Sequence, residues 1–231
     1  MNKYFLFAVL LLASAMSARA DTVTYGSRVA FESVLALSVT DNYEAPGYKP
    51  SPLTVLNDVV MSSVIGETQY RSTGIANHNV ISSAYGLPNN HFYCAGCNGT
   101  FEMSFTQTSL GDATGIFGVG FDIYDNHGTS YGALPMRAEI TFGDGSTNSF
   151  QLPELRYSSG SDYTFFGVSS TLRISSIAIV NSPNSSASFA IDNLTIGAPV
   201  PEPSTLGLGL ISMAGLGAAL RVNKRSKGRS A

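Results

Sequence analysis

Two cysteines three positions apart, Cys94 and Cys97, are the residues with the most evident chemical capacity. A C-x-x-C pair can form a disulfide, act as a redox centre or supply half of a zinc site. A redox centre needs a helix that follows a strand in a βαβ unit, and the surrounding sequence has no such pattern. Zinc needs two further ligands. We therefore predict a local disulfide, with redox chemistry and metal binding as the alternatives.

The three histidines, His78, His91 and His127, lie in polar or turn-rich segments. His127, Asp125 and one of many serines would supply the residue types of a hydrolytic triad, but the chain contains neither a G-x-S-x-G nor an H-E-x-x-H motif. The glycines within 115–120 are spaced unlike those of a dinucleotide-binding loop. The sequence therefore predicts surface loops for the histidines, and no catalytic, cofactor-binding or metal-ligating residue.

Several aromatic side chains lie close to predicted loops. Exposed aromatic rings stack on sugars, because their apolar faces match the C–H faces of pyranose rings. Ordinary packing inside the fold is the alternative for each of them. The residues that keep sugar binding open as a hypothesis are Tyr85, His91, Phe92, Tyr93, Tyr124, Tyr131, Tyr157 and Tyr163.

The first twenty residues have the pattern of a secretory signal peptide. Lys3 precedes an apolar core at 5–12, and Ala18-Arg19-Ala20 provides a small-x-small cleavage site. A retained membrane helix is the alternative, but the apolar run is too short to cross ~30 Å of hydrocarbon. We predict cleavage before Asp21 and export of the remainder.

The end of the chain combines three segments in a fixed order. Val200-Pro201-Glu202-Pro203-Ser204 is followed by an apolar stretch, Leu206–Leu220, and by a basic end at 221–229 with five Lys and Arg residues. The prolines keep the first segment extended, as a peptide in a protease cleft must be. The apolar stretch would span roughly 22 Å as a helix, which is short for a lasting anchor. Because basic residues stay in the cytoplasm, the body is predicted to lie outside the inner membrane.

This arrangement, VPEPSTLGLGLISMAGLGAALRVNKRSKGR, resembles the PEP-CTERM sorting signal. The resemblance implies a transmembrane helix over about residues 205–222 and an exosortase-type membrane protease as the partner. It also implies transient anchoring in the inner membrane, followed by release or transfer to the cell surface or the extracellular space. A plain tail anchor with a stiff linker is the alternative. The implied sorting motif consists of Val200, Pro201, Glu202 and Pro203.

Between the two terminal signals lies a single body, residues 21–199. It holds most of the sixteen Asp and Glu residues but only six of the thirteen Lys and Arg residues, so it is acidic. An acidic surface repels phosphate backbones, which argues against nucleic acid as a partner. The chain is thus predicted to consist of a signal peptide (1–20), one folded domain (21–199) and a sorting tail (200–231).

Apolar residues that alternate with polar ones predict β-strands in the second half of the body. Asp144-Gly145 predicts a hairpin turn towards a strand at 148–152. The change of parity between Ile174 and Ile177 predicts a β-bulge near Ser175-Ser176. Short strands at this spacing predict an all-β fold, a two-sheet β-sandwich of jelly-roll type. The alternating sets are Phe101, Met103 and Phe105; Phe117, Val119, Phe121 and Ile123; and Met136, Ala138, Ile140 and Phe142.

The first half of the body has a less regular pattern. Ser27 is predicted to cap a helix over 28–37, although Val39 and Thr40 favour a strand. The segment 43–52 contains three prolines and a glycine, so it is predicted to be an irregular loop. Residues 56–65 are predicted to form a short helix or a strand.

The body also resembles one group of PEP-CTERM cargo proteins, through blocks such as CAGCNGTFEMSFTQTSLG, GIFGVGFDIYD and FAIDNLTIG within residues 92–197. That resemblance implies a body similar to carbohydrate-binding jelly rolls. In such modules the last strand often carries a ligand of a structural calcium ion, and Asp192 is the matching residue here. Calcium takes six to eight oxygen ligands, of which this carboxylate would supply few.

The sequence as a whole predicts an exported, non-enzymatic protein of the cell surface or extracellular matrix. Extracellular polysaccharide is the predicted ligand class, and no cofactor is predicted. The alternative is a secreted hydrolase that acts on glycans or esters through an active site without a familiar motif.

Overall fold

The computed structural model describes residues 21–49, 53–73, 78–83, 90–95, 100–125, 136–153, 163–180 and 189–201. The predicted signal peptide, Cys97, His127 and the sorting tail beyond Pro201 lie outside these ranges. Within them, no helix is both long enough and apolar enough to cross a membrane.

Strands dominate the described residues and are interrupted by short helical turns. The helices are α1 (Arg28–Glu32) and α2 (Asp58–Ser63), and a 3₁₀ turn covers Pro46–Tyr48. All the strand pairings are antiparallel. The strands are β1 (Thr22–Tyr25), β2 (Leu35–Asp41), β3 (Leu53–Leu56), β4 (Gln69–Ser72), β5 (Asn79–Ser82), β6 (Phe92–Ala95), β7 (Phe101–Ser104), β8 (Ile116–Asp125), β9 (Arg137–Phe142), β10 (Thr147–Gln151), β11 (Tyr163–Val180) and β12 (Phe189–Pro199).

The longest strand, β11, joins the two layers of the fold. Its first half pairs with β1 and β8, and its second half pairs with β7 and β9. Beside β8, the strand β12 extends the first layer and carries β2 and β6 along its other edge. The strands β10 and β4 extend the second layer. The predicted all-β sandwich of jelly-roll type is confirmed.

The change of layer along β11 coincides with the predicted bulge. The register of β11 against β9 shifts between Ile174 and Ser176. Arg173 directly before it has a left-handed φ of 63°. A bulge bends a strand and increases its twist, which allows one continuous strand to serve both layers. The bulge prediction is therefore confirmed.

The apolar core lies between the layers and contains most of the alternating residues that the sequence analysis identified. The hairpin prediction also holds: β9 and β10 meet at a turn in which the Gly145 N–H donates to the Phe142 carbonyl over 2.9 Å. Gly145 has a φ of 83°, a conformation that glycine adopts without strain. Phe117 and Met136 are only partly buried. The fully enclosed members are Phe101, Met103, Phe105, Val119, Phe121, Ile123, Ala138 and Ile140.

The predicted helix over 28–37 is wrong beyond Glu32, where α1 ends. From Leu35 onward the chain pairs with β12 as an edge strand, in the register Val39 to Ile196. Tertiary pairing therefore overrides the helical pattern. The prediction that Val39 and Thr40 favour a strand is correct. Ser27 is at the N-cap position, but its side chain makes no capping hydrogen bond.

A buried carboxylate cluster, which we call the Asp41 cluster, consists of Asp41, Tyr43, Tyr48 and Tyr70. The hydroxyls of Tyr48 and Tyr70 donate to Asp41 Oδ2, the latter over 3.2 Å. The Tyr43 N–H donates to Oδ1 over 3.0 Å. All four residues are buried. The predicted loop at 43–52 thus carries two tyrosines that enter the core, which the sequence analysis did not anticipate.

Candidate functional site

An open polar groove lies on the outer face of the first layer, next to α1. Its volume is about 790 Å³. We call it the Arg28 groove, because this side chain makes the largest number of polar contacts in it. Its walls come from α1 and from the strands β2, β8, β11 and β12. The lining residues are Gly26, Ser27, Arg28, Val29, Glu32, Thr40, Asp122, Tyr163, Thr164, Phe165 and Asn193.

Glycines in the central strands allow α1 to lie directly on the sheet. Phe31 is fully buried against this outer face. A Cβ atom at Gly120 would lie 2.6 Å from the ring of Phe165 and 3.0 Å from that of Phe31. At Gly167 the corresponding distances would be 2.8 Å and 3.0 Å. Side chains at these two positions would displace α1, and Arg28 with it.

The guanidinium group of Arg28 organises the floor of the groove. Nη1 donates to Thr195 Oγ1 over 2.8 Å, and Nη2 donates to the Asn193 carbonyl over 3.0 Å. Nη2 also lies 3.0 Å from Asp122 Oδ2, and Nη1 lies 3.3 Å from Glu32 Oε1. Because the planar group has donors on several sides, it fixes two strands, β8 and β12, and α1 in one arrangement.

The Arg28 side chain also packs on an aromatic ring. Its guanidinium carbon lies 4.8 Å from the centroid of Phe165. Such cation–π contacts contribute about 0.5–1 kcal/mol at partly exposed sites. The ring centroid of Phe31 lies 5.7 Å from that of Phe165. Arg28 is thus held by the Phe165 ring as well as by the hydrogen bonds of its guanidinium group.

A bulge in β12 explains why Asn193 faces the groove. The register of β12 against β8 shifts between Asp192 and Thr195, and Asn193 has a φ of 50°. Asparagine tolerates this left-handed conformation better than most residues. The bulge directs the Asn193 carbonyl to Arg28, and the side-chain amide donates to Asp122 Oδ2 over 2.9 Å.

Of the aromatic residues proposed for sugar contacts, Tyr163 is the one that the structure places in the groove with its ring open to solvent. It is 60% exposed and lies 5.6 Å from the half-buried ring of Tyr124, with 33° between the planes. Tyr124 in turn contacts Phe92 at 4.3 Å. Phe92 and Tyr93 are fully buried, so for these two the packing alternative is correct. Tyr85, Tyr131 and Tyr157 lie outside the described residues.

Asp192, considered above as a calcium ligand, is 1% exposed. Its Oδ2 accepts from the Asn90 side-chain amide over 3.0 Å, and its Oδ1 accepts from the Asn193 N–H over 2.6 Å. Burial raises the pKa of this carboxyl to about 6, although both hydrogen bonds oppose the shift. Across the described part of the chain, no group of three or more His, Cys, Asp or Glu side chains is arranged to hold a metal ion.

The remaining candidates from the sequence do not meet in one site. His91 pairs with Glu44, with Nδ1 and Oε2 2.7 Å apart. His78 is an exposed residue directly before β5. Cys94 is buried near the end of β6, and since its predicted partner Cys97 is outside the described residues, the disulfide stays a prediction.

The residues that build the groove, Arg28, Asp122 and Asn193, were not predicted from the sequence. A weak signal was present, because Asp192-Asn193 interrupts an apolar strand with two residues that disfavour strands. Arg28 gave no signal, since its partners on the strands, Asp122, Asn193 and Thr195, are more than ninety positions away in the sequence. These contacts become visible only when β8, β12 and α1 are brought together.

The start of the sorting motif is part of the folded body. Pro199 is the last residue of β12 and pairs with Leu35. The N–H of Val200 donates to the Val34 carbonyl over 3.4 Å, and Val200 is exposed. Glu202 and Pro203 lie outside the described residues.

Comparison with known proteins identifies the tail. Residues 199–225 match the PEP-CTERM protein-sorting motif, so the resemblance stated from the sequence is confirmed. This motif implies export and anchoring in the membrane before cleavage by an exosortase. No curated protein matches the chain.

Solved structures similar to the chain include carbohydrate-binding modules. A variant of a family 29 module is 14% identical with a TM-score of 0.34, over 66% of this chain and 97% of the module. A xylan-binding domain from Paenibacillus barcinonensis is 13% identical with a TM-score of 0.34, over 73% of this chain and 96% of the domain. At this level of similarity the likeness says nothing about what this chain binds.

Proposed function

We propose that the chain is an exported, non-enzymatic surface or matrix protein that binds a neutral extracellular polysaccharide in the Arg28 groove. The observation that carries the proposal is the combination of one exposed aromatic ring, Tyr163, with a fixed set of polar groups beside it. In this proposal residues 21–199 form the binding domain and residues 200–231 the sorting tail.

The chemistry of the groove suits a sugar ring. The Tyr163 ring offers an apolar face for stacking, and its neighbour Tyr124 limits its movement. Hydroxyl groups of a sugar both donate and accept, and the groove presents acceptor oxygens on Glu32 and Thr40 beside the partly exposed guanidinium group of Arg28. Because these side chains already hold one another in place, little conformational entropy is lost when a ligand binds.

The charges in the groove favour a neutral glycan. Arg28 is flanked by two carboxylates, Asp122 at 3.0 Å and Glu32 at 3.3 Å. The body around it is acidic as well. A polyanionic chain would therefore meet net repulsion, whereas a neutral chain would not. Screening by salt should increase the weak binding of anionic glycans and leave that of neutral glycans unchanged.

The buried carboxylate of the groove, Asp122, and the adjacent Asp192 are engaged by protein donors, which supports a binding role over hydrolysis. Asp122 contacts Arg28 and Asn193, and Asp192 is buried under Asn90 and Asn193. Glycoside hydrolysis uses one carboxyl group as an acid and a second as a base or nucleophile, both in contact with the substrate. A secreted hydrolase remains the alternative, with a different site.

Titration of the purified secreted protein with glycans tests the binding proposal. We expect the neutral exopolysaccharide of the producing bacterium to bind, and a uronic-acid polymer of similar length to bind at least tenfold more weakly. Tyr163→Ala should weaken binding about tenfold, since stacking on an aromatic ring contributes on the order of 1 kcal/mol. Tyr163→Phe keeps the ring and is the matched control. Equal binding by all three proteins, or release of reducing sugars by the wild type, would contradict the proposal.

Sorting by an exosortase-type membrane protease is tested separately through Glu202. Its carboxylate lies between two prolines, where a protease can read it by charge-assisted hydrogen bonds. Glu202→Ala should cause the uncleaved form to accumulate in the inner membrane while the body folds normally. Glu202→Asp is the control that keeps the charge. Normal arrival of the Glu202→Ala protein at the cell surface would contradict the sorting proposal and favour the alternative of a plain membrane anchor.

A further inference from the structure

Both ends of the body lie against one groove, on a different part of the surface from the Arg28 groove. This second groove, the end groove, has a volume of about 630 Å³. Its apolar lining includes Val23, Val34 and Phe117. Asp21, Arg173 and Pro201 line it as well. The predicted signal-peptide cleavage site and the start of the sorting motif therefore meet at one place.

Hydrogen bonds hold both ends in this position. The Asp21 N–H donates to Thr171 Oγ1 over 3.0 Å, and the Thr171 N–H donates to the Asp21 carbonyl over 3.1 Å. At the other end, the Val200 N–H donates to the Val34 carbonyl. The sorting motif therefore leaves the body from a defined point and in a defined direction.

The length of chain that follows places the end groove near the membrane. Pro201 is five residues before Leu206, where the apolar run begins. Five extended residues reach at most about 18 Å. While the chain is anchored, the end groove must therefore lie within roughly that distance of the membrane surface. A membrane-embedded protease that binds Glu202 and Pro203 would be close enough to contact the groove.

We propose that the end groove is a docking surface for the exosortase-type protease, which recognises the folded body together with the sorting motif. The proposal rests on the sorting function proposed above. The apolar lining suits a partner that presents an apolar side chain, with polar groups beside it that can pair with Asp21 and Arg173. The protease is the favoured occupant because the groove is continuous with the motif, through Pro199, Val200 and Pro201.

A charge placed in the groove tests the proposal in the full-length chain. Val23 is 40% exposed on the edge strand β1, so Val23→Glu should fold while it obstructs an apolar contact. Val59 is 78% exposed on α2 and lines neither groove, so Val59→Glu is the matched control. Pulse-chase labelling should show processing at least threefold slower for Val23→Glu and unchanged for Val59→Glu. Thermal unfolding of the secreted proteins checks that both fold, and Val23→Thr is the milder variant if Val23→Glu does not.

The possible outcomes distinguish the role of the end groove in processing from the role of the sorting motif. If Glu202→Ala blocks processing but Val23→Glu and Val23→Thr are processed at the normal rate, sorting stands and the docking surface is wrong. Faster processing of the Val23 variants would also overturn the proposal, because it would show that the groove holds back the tail of the same chain. If neither Glu202→Ala nor Val23→Glu has an effect, the sorting function itself fails.

Discussion

The Asp41 cluster and the Arg28 groove both contain a carboxylate that is almost fully buried, yet they surround it differently. Asp41 is 5% exposed and accepts from two tyrosine hydroxyls and a backbone N–H. Asp122 is 4% exposed, but its partners are the cation Arg28 and the amide of Asn193, at the floor of an open groove. The first arrangement lies among the buried rings of Tyr43, Tyr48 and Tyr70, whereas the second adjoins solvent.

This difference indicates separate roles for the two carboxylates. Neutral donors in a closed site satisfy Asp41 without offering a group to a ligand, and burial raises the pKa of its carboxyl. The groove keeps a cation, an acceptor and an exposed ring next to water, which is what a binding site needs. We therefore assign the Asp41 cluster to stability and the Arg28 groove to binding.

The largest expected effect is on the Asp41 side of the comparison. Asp41→Ala would leave the hydroxyls of Tyr48 and Tyr70 buried without their acceptor and would open a cavity. We expect a loss of about 3–5 kcal/mol in the free energy of unfolding, measured by urea denaturation of the secreted protein. Glycan affinity at a temperature where the variant is folded should be unchanged. A loss of affinity in the folded variant would mean that the two regions are not separate.

A pH effect at Asp192 extends the comparison, because this buried carboxylate beside the groove accepts from two neutral donors, the Asn90 amide and the Asn193 N–H. Its folded pKa of about 6 is above the value near 3.8 expected for the unfolded chain. Between these values the folded state binds more protons, so the free energy of unfolding falls as the pH rises from 4 to 6. The contribution is up to about 3 kcal/mol, at about 1.4 kcal/mol per pKa unit.

Asp192→Asn removes this titrating group and is the variant to compare. Urea denaturation at pH 4, 5, 6 and 7 should show a smaller fall in stability for the variant than for the wild type. Asp144→Asn, at an exposed hairpin turn, is the control and should keep the wild-type slope across pH 5–7. Identical slopes for the Asp192→Asn variant and the wild type would show that burial does not raise the pKa of Asp192.

The smallest of these effects concerns Arg28 and is expected in binding more than in stability. Arg28→Ala would release Asp122 and the Asn193 carbonyl from their shared donor, so the groove would lose its arrangement. We expect at least a tenfold weaker glycan affinity, with about 1–2 kcal/mol lost in stability. Arg71→Ala is the matched control, since that arginine is 68% exposed, pairs with Glu102 and is not among the residues that line the groove. Unchanged affinity in Arg28→Ala, measured by titration, would move the binding site elsewhere.

The sequence predicted the fold better than the site, because a strand can be recognised from the pattern of neighbouring residues. The alternation at Phe101 to Phe105, the Asp144-Gly145 turn and the parity change near Ser175 each depend on neighbouring residues, and all three are confirmed. The helix over 28–37 failed past Glu32 because pairing with β12, more than 150 positions away, decides its conformation.

The groove could not be predicted in the same way. Arg28 meets Asp122 and Thr195 across sequence separations of about 90 and 170 residues, and no local pattern encodes such contacts. Of the aromatic candidates, periodicity alone could not separate the exposed Tyr163 from the buried Phe92 and Tyr93. The sorting motif was recognisable because its residues are consecutive.

Hydrogen–deuterium exchange with and without ligand tests most directly whether the two regions have the separate roles assigned here. The secreted protein would be measured alone and with fragments of the neutral exopolysaccharide of the producing bacterium. We predict slower exchange in the segments of the Arg28 groove, 26–32, 163–165 and 193–195, and no change in 41–48 and 69–72 around the Asp41 cluster. Protection confined to the Asp41 cluster, or no protection at saturating ligand, would contradict the account.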